Sequence, residues 1–203
     1  MGRLKPEVHQ FVEQVRTELH SYGFRLCFGR GKEVNGGGWR AEGFFCDRRR
    51  IIRVAQGNPH WLGTLLHEYA HFRQWVELST NVYYADNAAA SVVHDYLHGG
   101  KQVPPAALRK AFARVMAFER DAEIRAMRIA KAKGLPIDVE EYARYANLYI
   151  YSHHLMRDTG RWRSGRNPYR SWRIVDMMPT DFKAKAHTTI PAPVYAALSR
   201  FYG

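Results

Sequence analysis

His67, Glu68 and His71 are the residues of this chain whose types and spacing are best suited to chemistry. On an α-helix, residues four apart lie one turn from each other on the same side, so two imidazoles at this spacing can bind one Zn²⁺. Glu68 lies beside them and can take a proton from water held at the metal. The pattern therefore predicts a zinc site that activates water for hydrolysis.

A catalytic zinc usually has three protein ligands, and we predict the third on a later helix. Helical periodicity places Glu119 and Glu123 in the centre of an apolar stripe, where carboxylates are costly unless something pairs with them. We predict that Glu119 binds the metal and that Glu123 accepts the outer N–H of a ligand histidine. Alternatives remain open: Glu123 or His98 is the third ligand, or both carboxylates pair with buried arginines.

Helices and short strands are predicted around these residues. Apolar periodicity, glycines and caps predict helices over residues 6–22, 82–97, 104–133, 138–156 and 191–201, and strands over 24–28, 39–45 and 50–55. The helix that carries His67 and His71 is predicted to begin with Asn58 as its cap and Pro59 as its first residue, and to end near residue 75.

These elements predict a mostly helical α+β fold. We expect a small antiparallel or mixed sheet of about three strands, packed on the helix that carries the histidines. Residues 1–156 are predicted to form the core, and residues 157–203 a basic, aromatic extension packed on it. No linker, repeat or low-complexity run indicates a second independent domain.

If the water activated at the metal attacks an amide, the site also needs a group that donates a hydrogen bond to the oxyanion. The helix over residues 138–156 offers Tyr149, Tyr151, His153 and His154, from which we select Tyr149 and His153 as catalytic candidates. The alternative for each is a packed aromatic ring with its polar end in water. An extended substrate would lie along an edge strand, and residues 50–55 are predicted to be that strand.

The net charge of +12 favours acidic partners such as nucleic acid. Weak nucleic-acid binding is predicted in the basic segment over residues 157–173, because arginines can contact phosphates and aromatic rings can stack on bases. The residues proposed for it are Arg161, Trp162, Arg163, Arg166, Tyr169 and Arg170. The alternative is that the rings pack on the core while the arginines stay in water.

Cysteine usage and hydropathy indicate where the protein acts. Cys27 and Cys46 lie in strand-like segments without a CxxC pattern, which indicates reduced thiols. No apolar run is long enough for a membrane span, and the first residues lack the apolar region of a secretory signal. We therefore expect a cytoplasmic protein, in the host cytoplasm if a phage encodes it, without membrane contact. We also predict that the protein is a monomer.

Taken together, these residues resemble a zincin of the gluzincin type. In that group an HExxH helix is followed by a Glu within an ExxxD or ExxxE pattern, as in His67-Glu68-x-x-His71 and then Glu119-x-x-x-Glu123. The order of elements is similar to compact ImmA/IrrE-type metallopeptidases, without their Leu-Met-Pro ending or a helix-turn-helix region. Later segments resemble uncharacterised metallopeptidase-like proteins of large phages and bacteria. These segments are Leu135-Pro136-Ile137, Glu141-Tyr142-Ala143, Ala146-Asn147-Leu148-Tyr149, Arg161-Trp162 and Asn167-Pro168-Tyr169.

The resemblance implies a zinc-dependent metallopeptidase that acts on a protein or peptide substrate. It implies His67, His71 and Glu119 as metal ligands and Glu68 as general base. Two other interpretations remain open. One is a nucleic-acid-binding or virion-associated protein whose zinc site is structural or vestigial. The other is a SprT-like protease that acts on DNA-bound proteins, because His98-Gly99-Gly100 resembles the third-histidine arrangement of that family.

Overall fold

The structure is a computed structural model, which describes residues 4–37, 40–78, 80–161, 171–183, 185 and 187–202. The chain divides into two units, one of Met1–Leu78 with Ile124–Ile137 and one of Ser79–Glu123 with Asp138–Gly203. The predicted division of the chain at residue 156 stays a prediction.

The described part of the first unit combines a small sheet with helices. Its helices are α1 (Pro6–Ser21) and α2 (Trp61–Glu77), and its strands are β1 (Arg25–Gly29), β2 (Val34–Asn35), β3 (Arg40–Ala41), β4 (Gly43–Cys46) and β5 (Ile51–Ala55). The predicted end of α1 is confirmed, because Gly23 follows it with a φ of 74°, a conformation that glycine adopts without strain.

The main sheet has three strands in the order β1, β5, β4. β1 is parallel to β5, and β4 is antiparallel to it, which confirms the predicted small mixed sheet. The predicted edge position of residues 50–55 is wrong, because β5 is the central strand. Its backbone groups are already hydrogen-bonded on both sides, so β5 cannot take up an extended peptide.

One face of this sheet packs on α2. The ring of Phe45 on β4 lies 6.3 Å from the ring of Phe72 on α2, measured between centroids. Gly43 approaches the helix so closely that a Cβ there would lie 2.5 Å from Thr64 Cγ2. The fully buried residues of β5 on this face are Ile52 and Val54. The sheet therefore supports the helix that carries the histidines, as predicted.

The predicted strand over residues 39–45 is divided between two sheets. β4 pairs with β5, whereas β3 pairs with β2 in a separate antiparallel ribbon. Glu42 lies between β3 and β4, and its carbonyl accepts a hydrogen bond from Ala55 N at 2.7 Å. Val34 of the ribbon packs on Phe44 and Ala55, so the ribbon covers part of the sheet face opposite α2.

The start of α2 differs from the prediction. His60 occupies the cap position and makes no capping hydrogen bond with its side chain. Asn58 lies in the turn before the helix, where its Oδ1 accepts a hydrogen bond from His60 N at 2.8 Å. The predicted cap is therefore wrong, because Asn58 stabilises the turn instead of the first turn of the helix.

The described part of the second unit is helical. Its elements are α3 (Thr80–His98), the first part of α4 (Pro105–Ala132), α5 (Val139–Thr159), α6 (Trp172–Val175) and α7 (Ala192–Ser199). α4 continues past Glu123, and its last residues belong to the first unit. Asp138 caps α5 as predicted, because its side chain accepts hydrogen bonds from Glu140 N and Glu141 N.

Contacts between side chains connect these helices. Tyr83 of α3 and Phe118 of α4 have ring centroids 6.1 Å apart, and the Tyr96 hydroxyl of α3 donates to the carbonyl of Arg157 on α5 at 3.0 Å. The predicted α+β fold with mostly helical content is confirmed. Within the described ranges, we find no helix whose length and apolar character would let it span a membrane.

Candidate metal centre

His67 and His71 present one imidazole nitrogen each to a common point. Their Nε2 atoms lie 3.1 Å apart, and both side chains are half-buried on α2. Two nitrogens bound at about 2.05 Å to one tetrahedral Zn²⁺ would lie about 3.3 Å apart. The observed separation is therefore within a few tenths of an ångström of the value that a shared zinc ion requires.

Glu119 completes a group of three ligand side chains. The ligand atoms of His67, His71 and Glu119 all lie within 4.8 Å of one another, and no second group of this kind occurs in the described part of the chain. Glu119 lies on α4. Two nitrogens and one carboxylate oxygen suit Zn²⁺ and also other divalent transition-metal ions. The group can therefore hold a metal ion.

Gln74 contacts one of the candidate ligands, and its role was not predicted from the sequence. It is fully buried on α2, and its Oε1 lies 2.8 Å from His71 Nδ1. Because a carbonyl oxygen only accepts hydrogen bonds, Nδ1 must carry the hydrogen. The lone pair of the neutral ring is then on Nε2, which is the atom that faces His67. The available signal was its spacing, three residues after His71 on the same side of the helix.

Glu68 lies between α2 and the edge strand β4. It is 8% exposed, which is unusual for a carboxylate. A Cβ added at Gly43 would lie 3.3 Å from Glu68 Cγ as well as 2.5 Å from Thr64 Cγ2. The missing side chain at Gly43 therefore leaves space for the side chain of Glu68.

Glu123 lies one turn after Glu119 on α4 and is 6% exposed. Its Oε2 accepts a hydrogen bond from the Tyr142 hydroxyl of α5. This donor partly offsets the cost of burying the carboxylate. The predicted hydrogen bond from a ligand histidine to Glu123 stays a prediction.

His98, the alternative third ligand, is exposed at the end of α3. Its ring centroid lies 5.0 Å from that of His94, one turn earlier. His98 does not belong to the group of His67, His71 and Glu119. The geometry therefore favours Glu119 as the third ligand.

Tyr149 and His153, the predicted catalytic residues of α5, contact each other. Their ring centroids lie 4.7 Å apart, and His153 Nδ1 donates to the Tyr149 carbonyl at 3.0 Å. Burial lowers the pKa of His153, while the charge of nearby Glu119 acts in the opposite direction. The neutral ring then has a lone pair on Nε2, so it can accept a hydrogen bond there. The catalytic roles of both residues stay predictions.

A network of hydrogen bonds and ion pairs anchors another side of α2. The Tyr69 hydroxyl donates to Glu18 of α1, and Arg73 donates to Glu18 at 2.6 Å and to Glu77 at 2.8 Å. Arg125 of α4 also donates to Glu77. Burial and the neighbouring Glu18 raise the pKa of Tyr69, so its hydroxyl remains a donor. These contacts restrict the rotation of α2 and with it the direction of the metal-binding face.

The segment predicted to bind nucleic acid is described only in part. Arg161 is exposed just after the end of α5. The other predicted residues lie outside the described residues: Trp162, Arg163, Arg166, Tyr169 and Arg170. The predicted binding by this segment stays a prediction.

Comparisons of the chain with models of known protein families, with curated proteins and with solved structures found no match.

Proposed function

We propose that the protein is a zinc-dependent metallopeptidase, which hydrolyses peptide bonds in a protein or peptide substrate. The observation that carries the proposal is the group formed by His67, His71 and Glu119, with Glu68 next to the first histidine. Three protein ligands leave a fourth tetrahedral position for water or substrate. This is the ligand set of a catalytic zinc site, whereas structural sites use four protein ligands.

The donor chemistry supports zinc as the metal. A bound Zn²⁺ would supply Lewis acidity, which polarises a carbonyl group and makes water a nucleophile near neutral pH. Gln74 keeps Nε2 of His71 unprotonated and available, and the charge of Glu119 compensates part of the charge of a dication.

Glu68 would move the protons, because it follows His67 on α2 and its side chain is buried. It can take a proton from the attacking water and deliver it to the leaving amine. Because Glu68 is 8% exposed, bulk water has little access to its carboxylate.

Metal analysis and cleavage assays test the proposal together. The purified protein should bind one equivalent of zinc and should cleave fluorescein-labelled casein or members of a random peptide mixture. Glu68→Gln should keep the zinc and lower the cleavage rate by about 100-fold or more, because it removes the general base. His71→Ala and Glu119→Ala should lose zinc and cleavage together.

His98→Ala is the matched control, because it also removes an imidazole but from an exposed position outside the metal group. It should leave zinc content and cleavage unchanged. A wild-type protein that takes up no zinc would contradict the proposal, and so would a Glu68→Gln variant that cleaves at the wild-type rate.

A further inference from the structure

The three-stranded sheet has a second face, which points away from α2 and which we call the outer face. Because side chains alternate along a strand and paired residues share a face, the register assigns its members. They are Arg25, Cys27 and Gly29 on β1, Ile51, Arg53 and Ala55 on β5, and Phe44 and Cys46 on β4. Val34 of the ribbon packs on Phe44 and Ala55, whereas Arg25 and Arg53 are exposed.

Basic residues are concentrated in the segment that forms the sheet and the ribbon, and two of them, Arg25 and Arg53, lie on the outer face. Residues 25–53 contain eight arginines and lysines but only three acidic residues. Two of the eight are used within the fold: Arg49 donates to the Gly36 carbonyl at 3.0 Å, and the Arg50 guanidinium lies 5.0 Å from the ring centroids of Phe24 and Trp75. The other six are exposed: Arg25, Arg30, Lys32, Arg40, Arg48 and Arg53.

These six cations differ from other exposed cations in their ion pairing. None of them forms an ion pair with an acidic side chain in the described ranges of the chain. Exposed cations elsewhere do form such pairs, as Arg16 does with Glu13 at 2.7 Å and Lys101 with Asp95 at 2.6 Å. Uncompensated charges of one sign within a short region produce a positive potential that attracts a polyanion.

We propose that the outer face, which carries Arg25 and Arg53, binds the sugar–phosphate backbone of a nucleic acid together with the four other exposed cations of the same segment, independently of the metal centre. An acidic protein partner would need an apolar centre to its interface. The exposed large apolar side chains of the described residues are Tyr22, Val82, Tyr84, Trp172 and Met177, and none of them belongs to this face. A phosphate backbone requires cations but no apolar centre. Because the phosphates are the same at every base, binding should not depend on base sequence.

The dependence of binding on salt tests this site. Fluorescence anisotropy would follow the full-length protein binding a labelled strand of about 20 nucleotides, and the matching duplex, between about 50 and 200 mM salt. Six phosphate contacts predict a slope of about −5 for the logarithm of the duplex binding constant against the logarithm of salt concentration. Arg25→Gln/Arg53→Gln should reduce this slope by about two and weaken binding roughly tenfold or more.

Arg109→Gln/Lys110→Gln is the matched control, because it removes the same charge from exposed positions on α4. It should leave the slope within about 0.5 of the wild-type value. Equal weakening by the two double variants would overturn the proposal, because net charge alone would then explain binding. Absence of wild-type binding at low salt would also overturn it. Displacement of the strand by polyglutamate at equal charge concentration would also overturn the proposal, because an acidic polypeptide would then bind as well as a nucleic acid. Unchanged zinc content and circular dichroism would show that each variant is folded.

Discussion

Replacing Gln74 with methionine should weaken metal binding without removing a proposed ligand. Gln74 is fully buried, and its Oε1 accepts the hydrogen of His71 Nδ1 at 2.8 Å. Methionine has nearly the same length but only a weak acceptor, so the imidazole loses the partner that fixes its orientation. Partners of this kind contribute a factor of about 10–100 to metal affinity, which corresponds to about 1.4–2.7 kcal/mol.

The same substitution should also lower the stability of the metal-free protein. It leaves the Nδ1–H of His71 without its acceptor in a half-buried position, which should lower the free energy of unfolding by about 1–3 kcal/mol. Gln74→Glu keeps an acceptor of similar size and adds a negative charge near the metal. This variant should therefore bind zinc at least as tightly as the wild type.

Competition with a chromogenic chelator would measure zinc affinity, and urea unfolding in the presence of a strong chelator would measure the stability of the metal-free protein. A folded Gln74→Met variant with wild-type zinc affinity would refute the orienting role of Gln74. An equal loss of affinity in Gln74→Met and Gln74→Glu would refute it too, because packing and not hydrogen bonding would then explain the effect.

Three further pairs of substitutions test parts of the fold that support the site, and urea unfolding measures the stability of each variant. Arg50 has a φ of 52° and its guanidinium lies over two aromatic rings. Arg50→Ala loses the contact with the rings and keeps the positive φ, so it should lower the free energy of unfolding by about 1–2 kcal/mol. Arg50→Gly relieves the backbone strain and should be about 1 kcal/mol more stable than Arg50→Ala. Gly43→Ala places a methyl group 2.5 Å from Thr64 Cγ2 and should cost about 1–3 kcal/mol, which Thr64→Ser should partly restore. Asp138→Ala removes the cap of α5 and should cost about 1 kcal/mol, whereas Asp138→Asn should be close to wild type. These assignments would be contradicted if Arg50→Ala, Gly43→Ala or Asp138→Ala lowered the free energy of unfolding by less than about 0.3 kcal/mol.

Helical periodicity was sufficient to predict the group of candidate metal ligands. It predicted that His67 and His71 share one side of a helix, and that Glu119 lies on the apolar side of a later one. Both conclusions depend only on the rotation of about 100° per residue within a single helix. The end of α1 and the start of α5 could also be predicted from neighbouring residues alone, because Gly23 and Asp138 each act on the adjacent helical turn.

The features that the sequence did not predict depend on residues far apart in the chain. β5 is central because β1 pairs with one of its sides, and a short apolar strand carries no local sign of its position in a sheet. Asn58 is a good helix cap by type, but its side chain is used in the preceding turn. The contact of Gln74 with His71 depends on the rotamers of both side chains, which spacing alone does not determine.

α2 combines the face that carries the candidate ligands His67 and His71 with a separate anchoring face, and the geometry of the helix separates the two faces. At about 100° per residue, His67, His71 and Gln74 fall within about 60° of rotation, while Tyr69 and Arg73 lie on the other side. The Arg73 and Glu18 side chains are 37% and 22% exposed, so their ion pair contributes at most about 1 kcal/mol to stability.

The anchoring face matters more for the direction of the ligands than for stability. Atoms at the surface of a helix lie about 5–6 Å from its axis, so a rotation of about 20° would move them by about 2 Å. Metal–ligand distances tolerate deviations of only about 0.2 Å. Contacts of small energy can therefore control metal affinity, because the hydrogen bond of Tyr69 to Glu18 and the pairs of Arg73 oppose that rotation.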